Sequence, residues 1–338
     1  MTGALTSNAA LKNHWYAVAL ADDVAGAPIG AEVLGVKLAI WRAGDGRLAA
    51  FPDRCAHREA PLSKGEIDDG CLVCSYHGWT YEPGGRCVRV PSASEGVPAP
   101  PRAHLTPFGC QERYGLVWVC VGDPAGDIPA MRWEDDPAFR RINPPVEVWQ
   151  TSAPRMTDNF LDITHFPYVH RGTFGSQQDP RAPKFELEWL DDEFYGYQYE
   201  VTADNTSGGA VVTGEDDPVV HREMTSGFHL PFDVRSTIHY DSGLDHILLL
   251  LSTPIDDETS YFTFVVWRND DFSVPADEVI AFDLAIGAED KRMLEQFDGV
   301  LPLDQTTLVS VQADKCNVEW RRRLVELMSG APAAVRVS

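Results

Sequence analysis

The sequence predicts an α+β protein of two domains, a small all-β domain followed by a larger antiparallel sheet that cradles helices. Three observations carry the prediction. Up to about residue 123, short apolar runs alternate with Gly/Pro turns, as short strands require. From Gly122 to Pro145 the chain is rich in Pro and Asp and reads as a connector. Beyond residue 147 the pattern changes to longer β-type runs and two long helix candidates. With 338 residues the chain suits two domains, placed at residues 14–125 and 126–338.

In the first domain, His14 to Leu20 is a strand candidate. Val33 to Arg42 and Leu48 to Pro52 form a hairpin pair across the Gly44-Asp45-Gly46 turn. Glu82-Pro83-Gly84-Gly85 is a strong turn before the strand Cys87 to Val90, and Leu116 to Val121 closes the unit as a buried strand. Between them stands the main chemical signal: Cys55-Ala56-His57, sixteen residues, then Cys74-Ser75-Tyr76-His77-Gly78-Trp79. Each half supplies one thiolate and one imidazole, the side chains that bind borderline transition metals well. Two metals compete for this set. Structural zinc accepts two Cys and two His, although the usual finger has a Cys pair followed by a His pair. The interleaved order suits a [2Fe-2S] cluster in which both cysteines hold one iron and both histidines the other.

In the second domain, strands are expected at Phe185 to Val201, Val219 to Phe228, Val234 to Tyr240, His246 to Thr253 and Tyr261 to Trp267. Helices are expected near Thr157, at Ala276 to Phe297 and at Asp314 to Met328, with Thr157 as N-cap of the first. That first helix carries Asn159, Asp162, His165 and His170. Asp162 and His165, three apart, share a helix face. His165 and His170 are rotated by about 140° on a straight helix, too far for one metal. Pro167 is expected to kink the helix and swing His170 round. Two histidines and a carboxylate make a mononuclear iron site with open positions. The late helix offers the carboxylate: Asp290 falls inside the apolar stripe Val279, Phe282, Ile286, Met293, Phe297, with Asp283 and Glu289 nearer its edges. The bland alternatives are hydrogen-bonded core histidines and a salt-bridged Asp290.

The formal net charge of −23 disfavours nucleic acid and anionic membrane surfaces as partners. Met1 to Asn13 has neither a basic start nor an apolar run, and no apolar segment is long enough to span a bilayer, so a soluble cytoplasmic protein is expected. Beyond the motif pair, Cys71, Cys87, Cys110, Cys120 and Cys316 are expected to be free thiols.

Together and in this order, the two motifs resemble those of the Rieske non-haem iron oxygenases, over essentially the whole chain. The chain is similar to short single-subunit members such as vanillate and dicamba demethylases. It looks most like the saxitoxin-pathway hydroxylases, through Arg113 to Cys120, Asp158 to His170 and the tail around Asp314 to Arg322. The resemblance implies a helix-grip catalytic domain behind a Rieske domain. It implies Cys55, His57, Cys74 and His77 on the cluster, and His165, His170 and Asp290 on Fe2+. Asp162 would link the two centres, through His165 of its own chain and His77 of a neighbouring subunit in a homotrimer. The implied activity is O2-dependent monooxygenation of a small molecule, by C–H hydroxylation or O- or N-demethylation. No nucleotide-binding fingerprint is present, so NAD(P)H would act through a separate reductase, with or without a ferredoxin. Asn159, His239, Phe228, Phe232, Phe264 and His229 are the expected pocket residues. A Rieske electron carrier without oxygenase activity and a zinc-binding interaction module are the other readings.

Overall fold

The computed structural model describes residues 4–94, 96–175, 179–205 and 213–330. The chain divides into two compact units, Leu5–Ile128 and Pro129 onward with the first residues.

The first unit is built from three small antiparallel sheets. β1 (Tyr16–Leu20) pairs with β10 (Leu116–Cys120), which pairs with β9 (Gly109–Arg113). β2 (Ile29–Val33), β3 (Val36–Arg42) and β4 (Leu48–Pro52) form a meander. β5 (Glu66–Asp68), β6 (Cys71–Val73), β7 (Thr80–Tyr81) and β8 (Cys87–Arg89) form the third sheet, which carries the Cys74 loop. The run expected from Val33 is two strands, since Leu34 and Gly35 both take positive φ and turn the chain. Trp41 and Phe51 stack at 5.1 Å beneath the ligand loops, in one apolar cluster with Leu62, Leu72, Cys55 and Cys74. The loops therefore stand on a packed floor.

The second unit is an eight-stranded antiparallel sheet with helices against it. Its strands are β11 (Arg140–Ile142), β12 (Glu147–Trp149), β13 (Glu188–Trp189), β14 (Tyr195–Asp204), β15 (Val219–His229), β16 (Asp233–Tyr240), β17 (Asp245–Pro254) and β18 (Ser260–Arg268). The long strands pair in sequence order from β13 to β18, a pure meander. Its helices are α1 (Ala153–Phe160), α2 (Phe166–Val169), α3 (Ala276–Leu294) and α4 (Lys315–Met328). Phe262, Phe264 and Val266 of β18 pack with Val279 and Ile280 of α3 and with Met156 of α1. Among the described residues no helix is long and apolar enough to cross a membrane.

Three local expectations are corrected. Ser152, not Thr157, precedes α1; Thr157 lies inside the helix and its hydroxyl donates to the Ala153 carbonyl at 3.1 Å. The chain does not kink at Pro167. It breaks earlier, where Asp162 accepts from the Thr164 amide (2.8 Å) and the His165 amide (3.2 Å). Pro167 then sits in the first turn of α2, where its missing N–H costs nothing. On α3 the buried residues are Val279, Ile280, Asp283, Gly287, Glu289, Asp290 and Leu294, while Met293 and, past the helix end, Phe297 are exposed.

Candidate metal centres and catalytic cavity

In the first unit the two ligand loops repeat one backbone design. The Cys55 amide donates to the Ala60 carbonyl (2.9 Å) and the Glu59 amide returns to the Cys55 carbonyl (2.9 Å). The Cys74 amide donates to the Trp79 carbonyl (2.8 Å) and the Gly78 amide to the Cys74 carbonyl (2.9 Å). Glu59 and Gly78 occupy matching positions, and both take positive φ, 57° and 68°. Glycine meets this demand without strain. The outcome is a polarised site: Cys55 and Cys74 are buried and adjacent, while His57 and His77 are exposed, with ring centroids 4.6 Å apart. Trp79 stacks on His57 at 4.7 Å with the rings parallel, which fixes that imidazole. This donor set fits a two-iron cluster with its thiolate end inside and its imidazole end at the surface.

Tyr81 is a partner that sequence reasoning missed. Its hydroxyl accepts from the Ala56 amide (3.3 Å), which leaves its own proton for Cys55 Sγ at 3.2 Å. Burial pushes its pKa up and keeps it a donor. Hydrogen bonds to cluster sulfur set the reduction potential, because they favour the more negative, reduced form. Tyr81→Phe is expected to lower the cluster potential by roughly 40 mV, for a differential bond of ~1 kcal/mol. Redox titration of the purified protein checks this; an unchanged potential refutes the role.

In the second unit, α2 is a four-residue helix bounded by His165 at its start and His170 at its end. The break at Asp162 and this short turn bring the two rings together, Nε2 to Nε2 at 3.1 Å. Asp290 Oδ1, from α3, lies 3.5 Å from His165 Nε2 and 3.3 Å from His170 Nε2. The far ring nitrogens are both held by carboxylates. His165 Nδ1 donates to Asp162 Oδ2 (3.0 Å) and His170 Nδ1 to Glu289 Oε2 (3.0 Å). With both Nδ1 protonated, both Nε2 atoms present lone pairs. Three lone-pair donors thus converge on one point, an arrangement that is stable only around a cation. Bonds of about 2.1 Å separate donors by about 3.0 Å at right angles and about 3.4 Å at tetrahedral angles, so the triangle fits a single transition metal.

Burial opposes charge on His165, yet hydrogen bonds to Asp162 and Asp290 carry its pKa up to about 9, so a metal ion bound there takes the place of the Nε2 proton. Burial depresses His170, with Asp290 partly opposing it. Asn159 donates to Asp290 Oδ1 at 3.0 Å and so steadies the third donor from α1. Arg321 and Asn317 of α4 hold α1 in place through Asp158.

Sequence reasoning placed Glu289 at an edge of the α3 stripe; it is in fact the support of His170. Its carboxylate also accepts from the Thr173 hydroxyl (2.8 Å) and the Gly172 amide (3.1 Å). A Cβ at position 172 would come within 2.4 Å of Glu289 Oε1, so any other residue there would push that carboxylate aside. The signal was available: His165 has a nearby carboxylate in sequence, His170 has none, and a ligating histidine needs one. Glu289→Gln is expected to weaken iron binding by about tenfold or more while leaving the [2Fe-2S] centre unchanged. Chelator competition measures it, and equal affinity would exclude the role.

Beside the three donors lies a largely apolar cavity. Asn159, Phe160 and Phe166 line it from the α1–α2 segment, Phe282 and Ile286 from α3, and Met224, Ile238, Leu248, Leu250, Phe262 and Phe264 from the sheet. Of the expected pocket residues, Asn159 and Phe264 are there; His239, Phe228, Phe232 and His229 are not. On β16 it is Ser236, Ile238 and Tyr240 that face the cavity. His239 therefore points to the opposite face, where it is exposed and pairs with Asp245 at 2.7 Å. Phe228 lies under Arg323 of α4, Phe232 is buried in the β15–β16 turn, and His229 pairs with Asp233. Beyond the three donors, Asn159 and Asp162, the polar residues of the cavity wall are Arg222, Ser236, Tyr240, His246 and Asp283.

Comparison with known proteins agrees with both centres. Residues 14–106 match the Rieske [2Fe-2S] domain, and residues 149–329 match the vanillate O-demethylase oxygenase C-terminal domain. The methylxanthine N1-demethylase NdmA of Pseudomonas putida is 31% identical over 333 residues, covering 94% of this chain and 89% of that protein. A vanillate O-demethylase oxygenase subunit from a Pseudomonas species is 30% identical, covering 88% of this chain and 96% of that one. The structure of NdmA with caffeine superimposes with a TM-score of 0.81 at 29% identity, over 95% of this chain and 92% of that one. The chain belongs to the Rieske non-haem iron oxygenases and is an oxygenase component that carries a [2Fe-2S] cluster and a mononuclear iron.

Proposed function

We propose that this chain inserts one oxygen atom of O2 into a C–H bond of a small molecule, with removal of an O- or N-linked methyl group as the favoured outcome. The observation that carries it is the convergence of His165, His170 and Asp290 at the wall of an apolar cavity. Demethylation is favoured because similar proteins are named as N- and O-demethylases. In balance, a heteroatom-bound CH3 with O2, two electrons and two protons gives a hydroxymethyl group and water. The hydroxymethyl group then leaves as formaldehyde.

Within this reading, His165, His170 and Asp290 hold the iron, and Cys55, Cys74, His57 and His77 hold the cluster. The bound iron supplies oxygen activation and the cluster supplies electrons. The chain's other residues do the positioning. Asp162 and Glu289 fix the tautomers and angles of the two imidazoles. Asn159 holds the Asp290 carboxylate. The walls at Phe160, Leu248, Leu250, Phe262 and Phe264 exclude water from the reacting carbon.

The reading extends to the assembly. The electrons come from NAD(P)H through a separate reductase, with or without a ferredoxin. The protein works as a homotrimer in the cytoplasm, with His77 of a neighbouring subunit docked against Asp162. In support, Asp162 and His165 also border a surface cleft flanked by the exposed apolar side chains Met293, Phe297 and Val309. Apart from the two cluster ligands, the cysteines are free thiols, as a reducing compartment would keep them.

The test is the purified protein with a reductase, NADH and methyl-bearing candidates. A Rieske-type electron paramagnetic resonance signal after dithionite reduction is expected, with one formaldehyde formed per O2 consumed. A colourless, signal-free protein, or oxygen uptake that never depends on an organic substrate, would overturn the proposal.

A further inference from the structure

Four arginines of the described second unit are buried: Arg222, Arg235, Arg268 and Arg321. Three of them meet a carboxylate. Arg235 pairs with Asp191, Arg268 with Asp270 at 3.1 Å, and Arg321 with Asp158 at 3.0 Å. Arg222, only 4% exposed, meets none among the described residues, and its Nε has no hydrogen-bond partner. The undescribed stretches 176–178 and 206–212 contain no acidic residue. A guanidinium cannot shed its proton, and an uncompensated buried charge is costly.

Its surroundings show where the charge is aimed. The guanidinium sits over the Phe174 ring (5.1 Å) and the Tyr240 ring (5.5 Å), and Phe174 stacks in turn on the His170 ring at 5.0 Å. Arg222 thus stands one aromatic ring beyond an iron-ligand candidate, in the wall of the same cavity. Ring faces stabilise the cation only in part and do not neutralise it.

The neighbouring polar groups are already balanced. Asp270 holds both Arg140 and Arg268. Arg268 donates to His246 Nδ1 at 2.5 Å, which leaves the proton of the neutral ring on Nε2, 3.4 Å from Asp283 Oδ1. Two arginines and two aspartates close this chain at zero net charge, so none of its carboxylates pairs with Arg222, although Asp283 Oδ2 has no hydrogen-bond partner. Along the sheet, Arg222, His246 and Arg268 occupy one end of the inward face; Leu248, Leu250, Phe262 and Phe264 occupy the other.

We propose that Arg222 is the substrate anchor and that the substrate is a small, planar organic anion, a carboxylate, with its charged end at Arg222 and its apolar body along the leucine and phenylalanine wall. The inference rests on the cavity being the oxygenase site. A carboxylate matches the planar guanidinium fork, which a compact ammonium would not replace.

Isothermal titration calorimetry on the cluster-loaded, iron-loaded protein tests it with benzoates, cinnamates and naphthoates, their methyl esters, and the matching sulfonates. The acids are expected to bind at least ~10-fold more tightly than their esters, the lower bound for a charge-assisted pair. Arg222→Met should remove that preference without changing iron content or the cluster signal, and Arg222→Lys should restore only part of it. If Arg222→Met does not fold, the wild-type acid–ester comparison decides alone. Esters binding as tightly as acids, no acid binding at millimolar concentration, or an Arg222→Met protein that keeps the preference would each overturn the proposal. Sulfonates binding in place of every carboxylate would overturn the carboxylate assignment. The oxygenase reading is scored separately, by iron content and the dithionite-reduced signal, which none of these binding outcomes alters.

Discussion

Asp290→Ala is expected to remove most of the mononuclear iron and to cut turnover by roughly 10³-fold or more, since loss of a mere supporting contact already costs 10–100-fold. The geometry makes the effect large. Asp290 Oδ1 lies within 3.5 Å of both inward imidazole nitrogens and is the only carboxylate oxygen among the described residues grouped with them. Alanine leaves two neutral donors, which hold a divalent ion far more weakly. It also strands Asn159 Nδ2, which now donates to that oxygen. The cluster signal should be unaffected, because none of its candidate ligands lies on α3. Metal analysis together with formaldehyde or oxygen assays checks this. Retained iron with near-normal turnover would show that Asp290 is a structural carboxylate.

Asp162→Asn is expected to lower turnover by on the order of 100-fold or more while most of the iron stays bound. Asparagine keeps one acceptor oxygen, enough for the Thr164 amide and hydroxyl that hold the break between α1 and α2, but it puts an NH2 donor where Oδ2 now accepts from the His165 amide and ring. What it loses is the charge beside His165. In the native site the His165 and Thr164 contacts outweigh burial and hold the Asp162 carboxyl below its usual range. The group is therefore an anion at neutral pH, suited to bind a protonated or metal-bound imidazole from either side. A single-turnover measurement separates its two roles. If Asp162 carries the electron route, cluster reoxidation per bound iron slows greatly. If it only supports His165, iron occupancy falls and the rate per iron stays the same.

The order of elements and most of the chemistry were legible in the chain. The Cys55–His57 and Cys74–His77 pairs sit in short loops whose ligands are fixed by local hydrogen bonds, so spacing alone reported them. The five long strands of the second sheet were visible because each alternates or runs apolar over its length, and they pair with their sequence neighbours. Asp162, His165 and His170 were legible for the same reason: their meeting is set within nine consecutive residues.

Errors arose where a side chain's partner leaves no spacing pattern in the chain. Pro167 drew attention as a helix breaker, yet the break comes from the Asp162 side chain, which captures two backbone amides before the proline is reached. His239 looked like a pocket histidine, but β16 turns its odd-numbered residues away from the cavity. Arg222, His246 and Tyr81 gave almost no sequence signal. Each is a common residue whose role depends on what faces it.

The sequence by itself determined two centres of different kinds, because metal-ligand sets held on short loops and turns leave a local spacing. It also determined the α+β order of elements, because hydrophobic periodicity is local. The tertiary structure alone decided which carboxylate of α3 props His170. It decided which strand faces make the cavity, and that a single arginine is left there with an unmatched charge. The physical reason is that burial and pairing are properties of a place in space. Residues 222 and 174 stand 48 positions apart in the chain and 5.1 Å apart in the fold.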